Sequence, residues 1–251
     1  MLKLMKYEFR KQAASKGVIL LLIGLIELLF FFGVIFSKEK ILAISMGILV
    51  VFTYGSMFFM AFESIITYSN DLKNKCSYML FLTPNTSYRI VGAKVAAAAI
   101  QIIVASLVFF GVFALNMAVL VAKFVALADF KTMCAKILQE LFQLEINVPG
   151  VLSILALVTT VWICTITIAF FSITLSATFL ANKKFKGFVS LIIFIIINVF
   201  YNYIADLIFG NRVEMNKYYA IIYSLQSLYI LAFTVLTYLS TAWMLEKKVS
   251  V

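Results

Sequence analysis

The chain has 251 residues, 64% of them hydrophobic and only 13% charged, with a formal net charge of +10. A soluble domain is roughly half apolar and about one-quarter charged, so this composition excludes a soluble globular protein and implies one membrane-embedded bundle over residues 1–251. Histidine is absent, which removes His-based metal sites and His-based acid–base chemistry.

The excess of positive charge is first a topology signal. The basic residues are scattered over loops and tails and are not clustered with aromatics, a distribution that gives no nucleic-acid footprint. Cys76, Cys134 and Cys164 fall in different compartments by the topology below, so no disulfide framework is expected.

Residues 1–16 read MLKLMKYEFRKQAASK. Leu2, Met5, Phe9 and Ala13 share one helical face, with Lys3, Lys6 and Arg10 beside it. Such a basic amphipathic helix lies in the headgroup plane; a plain positive flank that sets topology is the other reading. The apolar run that follows is far longer than a signal-peptide core, so no cleaved signal is expected.

A spanning helix needs ~20 apolar residues, and six runs qualify: 17–36, 41–68, 95–121, 151–181, 188–207 and 220–245. They are continuously apolar and lack the alternation of a barrel, so the expected class is an all-α polytopic membrane protein. Fourteen of the 21 basic residues lie in the N-terminus, the 69–94 segment, the 182–187 loop and the C-terminal tail, against seven on the other side. Both termini and residues 68–94 are therefore expected in the cytoplasm.

Span one carries Glu27 at its middle, and span two carries Glu63 toward its cytoplasmic end. A carboxyl inside a span is costly and usually faces protein or a water-filled path. Each can line a substrate path, to which Tyr54 and Phe58 of span two also belong, pair with a basic group at its mouth, or make an inter-helix hydrogen bond. Residues 68–94 then form the longest polar interruption of the first half. Ser69 or Asn70 can cap a short helix over 70–82, which Pro84 ends by biasing Thr83 away from helical geometry.

Span three opens on small residues, Gly92–Ala93 and Ala96–Ala99, a close-packing face. The outer loop carries an apolar stripe of Leu127, Phe130, Cys134, Ile137, Leu138 and Leu141, which predicts an amphipathic helix over 125–143 before Pro149-Gly150. Span four is rich in Ser and Thr, read as packing. In span five Asn198, Asn202 and Asp206 recur every four residues on one face, and Gly210 can stop the helix. Asn198 and Asn202 join the candidate substrate path. Residues 206–219 are long enough for a short dip into the outer leaflet.

No Gly-Lys dipeptide occurs anywhere, so there is no phosphate-binding loop of the P-loop type. No nucleophile elbow, metal triad or paired carboxylate motif is present. Asn85-Thr86-Ser87 matches a glycosylation acceptor but is expected on the cytoplasmic side. Active transport would need an ion gradient or a partner subunit.

The basic start KYEFRK, six spans with both ends inside, and the segment after span two resemble the type-2 ATP-binding cassette permeases of half-size bacterial exporters. Asp71, the turn Leu80-Phe81-Leu82-Thr83-Pro84, Arg89 and Lys94 match in order the family's acidic residue, Leu-rich turn ending in Pro, and basic pair. The frequent Gly-Thr pair is replaced around Cys76-Ser77-Tyr78. The resemblance implies two permease copies in a homodimer, a separate cytoplasmic ATPase subunit holding ATP and Mg, and no cofactor bound by this chain. It makes 70–82 a coupling helix, with Asp71, Leu72, Lys73, Lys75, Tyr78, Met79 and Phe81 meeting the ATPase. It implies a multi-pass protein of a bacterial plasma membrane that exports an amphipathic or hydrophobic cargo, best a membrane-active peptide. The alternatives are export of lipid or antibiotic, an ion-coupled carrier, or a membrane-embedded enzyme. The carrier lacks the inverted repeats and broken helices of its class, and the enzyme lacks a convergent catalytic set.

Overall fold

The computed structural model describes residues 2–73, 86–124, 148–179, 186–210 and 219–247. They form seven helices: α1 Leu2–Lys11, α2 Ala13–Ile35, α3 Glu39–Lys73, α4 Ser87–Phe124, α5 Val148–Phe179, α6 Lys186–Phe209 and α7 Tyr219–Lys247. No strand occurs among the described residues. The six helices α2–α7 are each long and apolar enough to cross a membrane. The expected outer helix over 125–143 lies outside the described residues.

Three apolar clusters hold the bundle. Ala61 and Tyr68 of α3 pack with Ala98 and Ile102 of α4 and Ile166 and Phe170 of α5. Phe30 and Val34 of α2 pack with Leu42 of α3, against Val119 and Leu120 of α4. Cys164 and Ile168 of α5 pack with Tyr201 of α6 and Ile230 of α7. The central helix is α5, which touches α3, α4, α6 and α7, and its closest partner is α7. The buried alanines Ala93, Ala97 and Ala98 give α4 a smooth inner face, as small residues permit close approach between spans.

The hydroxyls of α5 serve its own backbone. Thr160, Thr167, Ser172 and Ser176 each donate to a carbonyl three or four residues earlier. Thr174 does the same toward Phe170 and also shares a 2.6 Å hydrogen bond with the Tyr68 hydroxyl. Tyr68 in turn stacks on Phe170.

The α2–α3 hairpin closes with a Schellman motif. Ser37 adopts φ 53°, its N–H bonds the Val34 carbonyl, and the N–H of Lys38 reaches the Gly33 carbonyl at 3.0 Å. That pair of bonds satisfies carbonyls that the helix end would leave without partners. The Lys123 ammonium of α4 also donates to the Val34 carbonyl, placing positive charge at a helix C-terminus. At the end of α6, Gly210 stops the helix as expected. A Cβ there would stand 2.5 Å from the Asp206 carbonyl oxygen.

Two sequence expectations change at the opposite end of the bundle, where α1 lies. The amphipathic helix is shorter than residues 1–16: it ends at Lys11, and Ala13–Lys16 form the first turn of the first spanning helix. Its inward face is also different, with Glu8 and Gln12 buried while Leu2 and Ala13 are exposed. The second change concerns α3, which runs without a break through Ser69 and Asn70 to Lys73. Neither residue caps a new helix. No Gly or Pro interrupts this stretch, and Asp71 is held by cations on α1 and α4, so the helix continues. Residues 74–85, with Lys75, Tyr78, Met79 and Phe81, lie outside the described residues.

Candidate functional site: an ion cluster where α1, α3 and α4 meet

The α1 end of the bundle carries a four-residue ion cluster. Lys94, in the second turn of α4, is buried and donates to Glu8 of α1 and to Asp71 of α3. Asp71 accepts a further bond from Lys11 of α1 at 2.9 Å. Two cations and two anions make the cluster neutral. A lone buried ammonium would be strongly unfavourable; paired on two sides, Lys94 is compatible with its burial. Burial alone would lower the Lys11 pKa, but the hydrogen bond and charge of Asp71 outweigh it, and the net shift is upward.

About two turns deeper, a second polar tie joins α2 to α3. Glu63 accepts from Ser15 and from Lys16, both at 2.5 Å. The elbow between α1 and α2 at Gln12 is thus pinned to α3 from both sides. Beside it lies a small pocket of about 10 Å³, lined by Glu8, Gln12, Ser64, Thr67 and Lys94 among others.

The proposed path residues do not converge within one copy of the chain. Glu27 accepts a 2.9 Å bond from Asn116 of α4, whereas Glu63 belongs to the tie just described. Tyr54 and Phe58 point outward, 62% and 61% exposed. Asn198 and Asn202 turn back on their own helix, donating to Phe194 and Asn198 carbonyls. Of the seven coupling positions, Asp71 and Leu72 are placed on the inner side of the last turn of α3, with Leu72 against the α3–α4–α5 cluster. Lys73 is its final residue.

Sequence reasoning passed over Glu8 and Asn116. Glu8 is the acid at the middle of a basic helix, and its spacing from Leu4 and Gln12 was the available signal. Asn116 is an amide inside an apolar run, a residue type that seeks a partner in a membrane. Among the described residues no group of three or more acidic or cysteine side chains could hold a metal ion.

This arrangement defines a six-span helical membrane protein with an ion-paired junction at one end. Comparison with protein-family models, with curated proteins and with solved structures finds no match to this chain.

Proposed function

We propose that this chain is the permease subunit of an ATP-driven exporter of the type-2 ATP-binding cassette kind. Two copies form the transmembrane unit, and a separate ATPase subunit binds ATP and Mg at the cytoplasmic face. The cargo is an amphipathic or hydrophobic molecule, best a membrane-active peptide, and the membrane is a bacterial plasma membrane. The chain itself performs no hydrolysis, in keeping with its lack of a Gly-Lys phosphate loop.

The observation that carries this reading is the position of Lys94. It ties α1 and the last turn of α3 to the first turns of α4, and α3 and α4 are the two helices that flank residues 74–85. A partner that displaces that segment moves α3 and α4 together with α1, because the three are linked by charge-assisted bonds. Force applied at one surface is thereby delivered to three helices at once.

Glu27, bonded to Asn116 within the spans, favours one second reading, an ion-coupled carrier in which that carboxyl meets the coupling ion. Purification in mild detergent and transport into inverted vesicles separate the two. The expected result is co-purification of an ATPase that carries its own phosphate-binding loop, with uptake that stops on ATP depletion. Uptake that survives ATP depletion and collapses with a protonophore establishes the carrier instead. Charge reversal at Lys75 is expected to weaken association with the ATPase while leaving membrane insertion intact.

A further inference from the structure

We propose that the slot between α2 and α4 binds one acyl chain of an anionic phospholipid from the leaflet on the α1 side, with the headgroup at Lys16 and Gln101. The two helices meet at their far ends, where Phe30 and Val34 face Val119 and Leu120. Nearer α1 they separate and leave a cavity of about 240 Å³, walled by Ile23 of α2, Met60 of α3 and Val104, Ala105 and Phe109 of α4. The lining residues Ile100 to Phe109 span roughly 14 Å along α4. Drug-sized ligands occupy pockets of about 300 Å³ or more. A single extended hydrocarbon chain suits this narrower slot.

Lys16 and Gln101 are the two polar side chains lining the slot, and they lie at one end of it. Gln101 is seven residues beyond Lys94, and Glu63 is eight residues before Asp71. Lys94 and Asp71 are bonded to each other, so Gln101 and Glu63 lie at one level, about 11 Å inside the ion cluster. Lys16 is bonded to Glu63 and shares that level. The slot is therefore apolar along its whole depth, with the charged Lys16 side chain at its α1 end, the pattern that a lipid fits.

The chemistry of the mouth selects the headgroup. The Lys16 ammonium has three donors, of which one is spent on Glu63, and a phosphate oxygen accepts the others. The Gln101 Oε1 atom is buried and accepts no hydrogen bond among the described residues. An unbonded buried acceptor is destabilising, so a turn of the Gln101 side chain toward a headgroup hydroxyl is favoured. Lys3, Lys6 and Arg10 are exposed on α1 and draw anionic lipid to this edge of the bundle. Cationic amphiphiles are repelled by the same charges. Spans and acyl chains are equally apolar, so hydrophobicity gives no preference among lipids; with Lys16 balanced by Glu63, selection rests on the remaining Lys16 donors together with the basic residues of α1.

The test uses the full chain in nanodiscs of equimolar phosphatidylglycerol and phosphatidylcholine, followed by extraction and native mass spectrometry of retained lipid. Phosphatidylglycerol is expected to be retained over phosphatidylcholine by roughly tenfold, the size of one charge-assisted bond. Ala105→Trp, which fills the slot, removes that retention, whereas Leu191→Trp on the exposed face of α6 does not. Equal retention of the two lipids, or undiminished phosphatidylglycerol in Ala105→Trp, overturns the proposal. A second measurement needs no variant: phosphatidylglycerol carrying a diazirine on its acyl chain is crosslinked to the unaltered protein. Labelling on Ile23 and residues 104–109 supports the site, and labelling confined to outward faces of the helices overturns it. Retention of a single-chain cargo in place of phospholipid also overturns it.

Discussion

The side-chain amide of Asn116 donates to the Glu27 carboxyl across 2.9 Å, joining α4 to α2 within the membrane-spanning part of the bundle. Asn116 is almost fully buried at 1% exposure. The pair gives the two helices a polar contact beside the apolar one made by Phe30, Val34, Val119 and Leu120. A carboxyl that sequence alone left open between a path and an inter-helix bond therefore makes the bond.

Replacement of Asn116 by Leu is expected to destabilise the protein by about 1 kcal/mol, the size of inter-span hydrogen bonds measured by mutation. Glu27→Gln retains an acceptor of the same shape and is expected to change stability by less than half as much. Unfolding titrations in mixed micelles compare the two. Equal effects would show that the charge of Glu27, and not its hydrogen bond, is what α4 recognises.

Lys94 is the residue whose loss is most damaging. Lys94→Met leaves Glu8 and Asp71 facing each other without the cation between them. Breaking a buried pair from one side costs about 3–5 kcal/mol, because the remaining charge stays buried. Glu8→Gln removes one anion but leaves Lys94 bonded to Asp71, so a smaller loss is expected. The order of thermal midpoints, wild type above Glu8→Gln above Lys94→Met, tests the assignment.

Lys11 makes a more exposed bond to the same Asp71. Lys11→Met is expected to cost under about 1 kcal/mol, as for surface pairs. Its pKa in the folded protein is raised, burial being outweighed by Asp71. The contribution is therefore complete below the ordinary lysine value of 10.5 and is lost as pH climbs through the higher folded value. The stability difference between wild type and Lys11→Met should stay constant through neutral pH and shrink in strong alkali.

The α2–α3 hairpin offers a gain and a loss. Ser37 holds a left-handed backbone at φ 53°, a region disfavoured for any side chain, so Ser37→Gly is expected to stabilise by roughly 0.5 kcal/mol. Gly33 stands so close to α3 that a Cβ would lie 3.0 Å from Leu42 Cδ2 and 3.2 Å from the Leu42 backbone nitrogen. Gly33→Val is expected to cost about 1–3 kcal/mol by overpacking. Both are read from unfolding midpoints of the purified protein.

How much was legible in the sequence follows from what each signal depends on. The six spans were readable because a long apolar run has one stable form in lipid, a helix with all its backbone bonds internal. Their ends were less readable, since α4 begins at Ser87 and α3 continues to Lys73, where polar helical turns extend past the apolar run. Ser69 and Asn70 look like caps in isolation, yet Lys94 and Lys11 hold the turn that contains Asp71. Glu8 was concealed by its neighbours, because an acid among lysines and an arginine reads as a solvated face. Tyr54, Phe58, Asn198 and Asn202 suited a path by residue type but point outward or bond to their own helix.

By itself the sequence determined that this is a bundle of membrane-spanning helices. Backbone groups without water must bond within their own segment, and that demand needs no knowledge of neighbours. It also placed acidic residues inside two spans and a polar segment between the second and third. Only the tertiary structure decided which helices meet. A span that is apolar all round presents no inward face of its own, so Lys94 to Glu8 and Asp71, and Asn116 to Glu27, became pairs through packing alone.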